Sequence, residues 1–196
     1  DYSADIKGSG TNKTLTPAGN AGVGYEIASY YGSALSFDGT GDYFTVPAND
    51  SDFQPGSDDY TVECWVNPIA IPASNAGFTG IWNWSNNQRS WLLYHNSTGK
   101  PTFLISQNGT TSAGATAEAT SGISLTTNQW THVVGEKEGN ILRIYVNGVV
   151  TGIVTTAPSS IYTNTGDPLT IGDYGSTPVD PFNGYIQDLR VYKGLA

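Results

Sequence analysis

At 196 residues the chain is long enough for one well-stocked core and short for two large domains. Seventeen acidic residues against eight basic ones leave a net charge of −9, which repels phosphate backbones and anionic membranes and excludes nucleic acid as a natural partner. No apolar run approaches the ~20 residues that span a bilayer, and no stretch holds a helical period long enough to define a helix.

In chain order, residues 1–32 are poor in bulky apolar groups and rich in Gly, Thr and Asn; they are expected as a leading strand or a partly tethered arm. Thr14-Leu15-Thr16 and Tyr25-Glu26-Ile27 are its short strand candidates. The organising stretch is Ser33 to Pro47. Leu35 and Phe37 alternate with Ser36 and Asp38, the period of a half-buried strand, and Tyr43 to Val46 resumes it after Gly39-Thr40-Gly41. Two such runs around a glycine loop predict a hairpin, with Asp38 and Asp42 flanking its turn.

Tyr60 to Val66 is the clearest strand, carrying the lone Cys64 on the same parity as Val62 and Val66, hence as a buried small hydrophobe. A single cysteine allows no internal disulfide. Ile69 to Gly77 reads as loop, and strands follow at Gly80–Trp84, Ser90–Tyr94 and Pro101–Gln107. Asn108 to Ser121 is a long polar connection or a weak edge. Gln129–Gly135 and Ile141–Val146 are strands, and Asn147-Gly148 is the strongest hairpin signal in the chain, returning into Val149–Thr155. Leu169–Gly172 and Asn183–Tyr192 close the series. In the last strand Ile186 falls on the opposite parity to Leu189 and Val191, so it is covered on both sides or bulged near Gln187-Asp188. Strands at this spacing without helices between them predict an all-β, two-sheet antiparallel sandwich of jelly-roll type, with residues 1–196 as one domain.

Five ordered motifs carry a family resemblance. They are Ala34-Leu35-Ser36-Phe37-Asp38-Gly39 with Asp42-Tyr43, Tyr60-Thr61-Val62-Glu63 with Trp65-Val66, Trp130-Thr131-His132-Val133, Leu142 to Gly148, and Phe182 to Tyr192. The chain resembles the laminin G-like modules of the concanavalin A-like lectin/glucanase superfamily, and its N-terminal third is similar to modules appended to phage tail and bacterial surface adhesion proteins. The resemblance implies a sandwich in which the first hairpin lies beside the final strand. It also implies a structural Ca²⁺ on that edge. Carried onto this sequence, the ion's ligands would be Asp38 and Asp188, with Asp42 as a weaker third. The alternative is that Asp38 and Asp42 simply cap their turn.

Three functions are weighed. Glucanases share the fold, but their Glu-x-Asp-x-x-Glu strand is not here, and Glu63 stands alone in its strand; an enzyme is not expected. His95 and His132 are too few and too far apart for a zinc site. Arg143 and Arg190 are expected to pair with nearby carboxylates. Carbohydrate binding is the leading expectation, because sugar C–H faces stack on aromatic rings while hydroxyls take amide partners. Trp82, Trp84, Asn86, Trp91 and Tyr94 crowd into 13 residues, and Tyr174 with Asp173 could join them from a rim loop. Each ring has filling of the sandwich interior as its plain alternative. The third function is structural: a module holding neighbouring fibre or surface-protein domains through protein contacts. With no Met and no signal-type segment, the sequence reads as a processed piece of an extracellular, cell-surface or virion-surface protein that binds a glycan or polysaccharide.

Overall fold

The computed structural model describes residues 13–24, 32–175 and 179–196. Its strands are β1 (Thr16–Ala18), β2 (Gly22–Gly24), β3 (Ala34–Asp38), β4 (Tyr43–Val46), β5 (Tyr60–Pro68), β6 (Ala76–Asn83) and β7 (Gln88–His95). They continue as β8 (Pro101–Gly109), β9 (Thr116–Thr120), β10 (Thr131–Glu138), β11 (Ile141–Val146), β12 (Val149–Val154), β13 (Leu169–Ile171) and β14 (Asn183–Lys193), with a 3-10 turn at Ser51–Phe53. The Tyr25-Glu26-Ile27 candidate lies outside the described residues.

Two seven-stranded sheets form the expected jelly-roll sandwich. The first runs β1-β4-β13-β6-β7-β8-β9 and the second β12-β11-β10-β5-β14-β3-β2. Every pairing between the described strands is antiparallel. One core lies between the layers, fed by alternate residues of each strand: Val62, Cys64 and Val66 from β5 face Trp91 and Leu93 from β7 and Phe103 and Ile105 from β8. Burial accounts for Cys64, whose thiol it pushes well up.

The run expected as a hairpin is instead a crossover. β3 pairs with β14 and β2 in the second sheet, while β4 pairs with β1 and β13 in the first. The loop between them therefore carries the chain from one layer to the other. The physical reason sits in the core: Phe37 and Phe44 are both buried and meet edge to face, ring centres 6.0 Å apart at 87°. Placed in opposite layers, each ring reaches the same interior.

Other expectations stand. Asn147 and Gly148 both have positive φ (51° and 78°), the backbone of a two-residue hairpin turn, and β11 pairs with β12 across it. The polar connection before Ser121 holds the edge strand β9. In β14 the register shifts between Gln187 and Arg190, with Asp188 at φ 53°, so the bulge absorbs the parity fault. Ile186 faces the core, and Leu189 and Val191 pack against it.

Candidate functional site

The outer face of the first sheet carries a second apolar cluster: Trp82 from β6, Leu92 and Tyr94 from β7, Leu104 from β8 and Tyr174 from the segment after β13. Side chains on the outside of a two-layer sandwich ordinarily meet water. Here Trp82, Tyr94 and Tyr174 are 1%, 6% and 2% exposed, because the rings cover one another. Tyr174 packs on Tyr94 with ring centres 6.4 Å apart, and Trp84, in the β6–β7 turn, lies 5.7 Å from Trp82 and 6.5 Å from Tyr174. Trp84 is the open member at 44% exposed.

Local sequence explains how the rings meet. Gly77 on β6 has no side chain where the Tyr174 ring and the Asp173 backbone press in; a Cβ there would lie 2.8 Å from that ring. The Gly77 N–H donates to the Asp180 carbonyl and ties the loop to the strand. Under Trp84 the Arg89 guanidinium sits 5.1 Å from the ring centre. Arg89 also donates to the Trp84 carbonyl, to Asn87 Oδ1 at 3.0 Å and to the Gly109 carbonyl at 3.2 Å. The ring is thus held from one side by a fixed cation, with Ser85, Asn86 and Asn87 exposed beside it.

The tyrosine and aspartate groups around the cluster are hydrogen-bonded. Burial and the Glu118 carboxylate push the Tyr94 phenol up, and burial and Asp180 do the same for Tyr174, so both remain O–H donors. Tyr174 Oη donates to Asp180 Oδ2. Asp173 is buried and accepts N–H bonds from Tyr174, Val179 and Asp180, yet desolvation prevails and raises its pKa to about 6. The indole N–H of Trp82 is buried and meets no acceptor among the described residues.

Of the six expected ligand-binding residues, Trp82, Trp84, Tyr94 and Tyr174 converge. Trp91 belongs elsewhere: it is wholly buried between the sheets, packs on Tyr60 and donates its indole N–H to the Phe53 carbonyl at 3.0 Å. Asn86 is at the tip of the β6–β7 turn beside Trp84. Leu92, Leu104 and Arg89 were not singled out from sequence; Leu92 and Leu104 alternate with core residues on their strands, and that alternation was the available signal.

The three aspartates expected at a calcium edge do not come together. Asp38 and Asp42 are neighbours, and they cap the crossover loop. Asp42 Oδ1 accepts the Asn20 N–H at 2.8 Å and its Oδ2 the Asp38 N–H at 3.0 Å, while Asp38 Oδ1 accepts the Thr40 N–H at 2.7 Å. In the β14–β3 ladder it is Asn183 that faces Asp38, and Asp188 lies five residues on, roughly 15 Å along the strand. Asp188 is clasped by Arg190, with contacts of 2.8 and 2.7 Å. The buried residue of that bulge is Gln187, which donates its amide to the Ser33 carbonyl at 2.8 Å. A calcium ion needs six to eight converging oxygens, and these three residues as a set do not fit one. Among the described residues no group of three or more His, Cys, Asp or Glu side chains could hold a metal ion.

On the outer face of the second sheet, Glu63 accepts from Tyr192 Oη at 3.0 Å and lies 3.0 Å from His132 Nε2, and His132 stacks on Trp65. His132 is half-buried on this outer face. Arg143 pairs with Glu136 and Glu138. His95 is the buried histidine, among Phe78 and Phe182, and burial lowers its pKa.

With this geometry in place, comparison gives the class. The profile of the laminin G-type family described as the concanavalin A-like lectin/glucanases superfamily matches residues 38–195, and the chain belongs to that family. Solved structures share the fold at low identity. Domain 4 of a GH43 extracellular arabinanase from Geobacillus stearothermophilus, in complex with arabinotriose, is 19% identical with a TM-score of 0.66, covering 93% of this chain and 82% of that one. The binding domain of botulinum neurotoxin DC in complex with SialylT is 16% identical with a TM-score of 0.66, covering 96% of this chain but 45% of that one. Domains LG4-5 of the mouse laminin alpha1 chain are 18% identical with a TM-score of 0.58, covering 81% and 40%. The chain therefore spans less than half of the neurotoxin and laminin structures. No curated protein matches it in sequence.

Proposed function

We propose that the protein is a non-catalytic carbohydrate-binding and adhesion module of a larger extracellular or surface protein, and that it holds glycans against Trp84. One observation carries this: a half-exposed indole is fixed from beneath by Arg89 and flanked by Trp82 and Tyr174 on the outer face of a sheet. A rigid ring with one open face suits the C–H face of a pyranose or furanose, and the exposed amides of Asn86 and Asn87 suit its hydroxyls. The arabinotriose and SialylT complexes of the structural neighbours support the reading. Acid–base hydrolysis has less behind it. Glu63 and Glu118 stand on the outer faces of opposite sheets, far from the paired geometry that glycosidases use.

The test is a glycan array with the wild type and Trp84→Ala. Half-exposed and outside the core, Trp84 can be removed with little change in melting temperature. Binding should fall at least about tenfold, the loss of one stacking contact of about 1.4 kcal/mol or more. Undiminished binding by the variant would dismiss the platform.

A second reading, assembly through protein contacts, is favoured by the edge strand β12. It presents Val149, Val150 and Ile153 at 62%, 46% and 54% exposure on an uncharged strand, the kind of edge on which strands of other chains add. Size-exclusion chromatography decides between the two: a stable oligomer that binds no glycan favours assembly, and a monomer that binds favours the lectin.

A further inference from the structure

Building on the glycan-binding reading, we infer that the site takes uncharged sugars and discriminates against acidic ones, whether carboxylated or sulfated. The argument starts from what surrounds the rings. Glu118, exposed on β9, is hydrogen-bonded to Tyr94; Asp180 accepts from Tyr174; and Asp173 lies beneath the same loop, its carboxylate held by the Tyr174, Val179 and Asp180 N–H groups. A fourth carboxylate, Asp167, accepts from Asn83 at 2.9 Å, next in the chain to Trp84. The cation in contact with the rings is Arg89, and its charge is directed elsewhere. Its Nη groups donate to the Trp84 and Gly109 carbonyls and the Asn87 amide oxygen, its Nε–H is buried without an acceptor among the described residues, and its Cζ lies 5.1 Å from the indole centre. It is 7% exposed, so it has no free edge to offer a ligand carboxylate or sulfate in the bidentate manner that recognises anions.

The donors and acceptors left at the site suit hydroxyl groups. The exposed amides of Asn86 and Asn87 can both accept and donate. A hydroxyl satisfies either role; an anion satisfies only the donors and is repelled by the acids. The size follows from Coulomb's law. A carboxylate about 8 Å from a ligand anion weakens binding about twofold in water. Four carboxylates against the one guanidinium leave three net negative charges, which at that separation give about tenfold at low salt. At ~0.15 M, where the screening length is about 8 Å, the ratio falls to two- or threefold.

The experiment is calorimetric titration of the whole chain with neutral oligosaccharides, arabinotriose first, and with matched uronic-acid and sulfated oligosaccharides, each at 10 mM and 150 mM NaCl. Expected are neutral-ligand affinities independent of salt, acidic ligands about tenfold weaker at low salt, and a gap that narrows as salt rises. The variant Glu118→Gln keeps an acceptor oxygen for Tyr94 and should narrow the low-salt gap about twofold without changing neutral binding. Acidic ligands that bind as well as neutral ones, or better at low salt, overturn the inference and leave the platform reading intact. A chain that binds neither class overturns both.

Discussion

At the scale of the residue, Asp173 shows how a position can be well hydrogen-bonded and still costly. Three N–H groups favour its ionised form, but removal from water opposes that form more strongly and brings its pKa to about 6 from the ordinary 3.8. The folded state thus binds the proton more tightly than the unfolded one between about pH 4 and 6. Where the native state holds more protons, stability falls as pH rises. This group therefore stabilises the fold on acidification from pH 7 toward 4, by about 2 to 3 kcal/mol at full protonation. Other carboxylates move in the opposite direction, so the difference between wild type and Asp173→Asn isolates the contribution. Urea unfolding at pH 4, 5, 6 and 7 should show the wild type gaining on the variant as pH falls. A flat difference would place the Asp173 carboxylate in water, and one that grows toward pH 7 in favour of the wild type would show that its N–H bonds outweigh desolvation.

At the scale of the element, the two layers are keyed by a glycine. Gly135 on β10 points into the core where a Cβ would lie 2.5 Å from the Phe103 ring of β8 in the opposite sheet. Gly135→Ala should cost about 1 to 3 kcal/mol by overpacking, and Phe103→Leu in the same chain should recover part of it. A denaturant double-mutant cycle reads the coupling, and additive costs would show that the two sites do not touch. Strand existence was legible because alternation survives wherever one face is wet, as in β5, β10 and β11. It failed where both faces are covered. All eight residues of β6 are buried, and register shifts beside Thr79 and Trp82 put Phe78 and Ile81 in one cluster and Trp82 in the other. For the same reason Trp91 could not be told from the outward rings, since period two says which residues share a face and not which face holds the core. The β3–β4 connection misled for a different cause. A glycine loop between two alternating runs specifies a reversal, while the choice of sheet depends on β14 and β13, more than a hundred residues away.

At the scale of the whole molecule, the fold stands on long-range pairing that joins the chain's two ends. β14 is bracketed by β3 and β5, so the last strand locks the first motif to the middle of the sheet. That margin is where the family resemblance led to an expectation of calcium, and the chemistry found there is different. The crossover loop is capped by Asp42, and the bulge is filled by the Gln187 amide and sealed by the Asp188–Arg190 pair. Backbone N–H groups hold both Asp42 oxygens and Asp38 Oδ1, and Arg190 pairs with Asp188 at the far end of the ladder, so the three carboxylates present no common cage of oxygens. The consequence is measurable. An ion held with a Kd one hundredth of its concentration would add about 2.7 kcal/mol, which for a domain of this size raises the melting temperature by about 5 to 10 °C. With this margin closed by protein groups alone, 1 mM calcium or an excess of chelator should move the melting temperature by less than about 1 °C. A rise of several degrees on adding calcium, abolished by Asp38→Asn, would show instead that the Asp38–Asp42 loop opens its carboxylates to the ion. The same rise unchanged by that substitution would place the ion on other oxygens of the molecule.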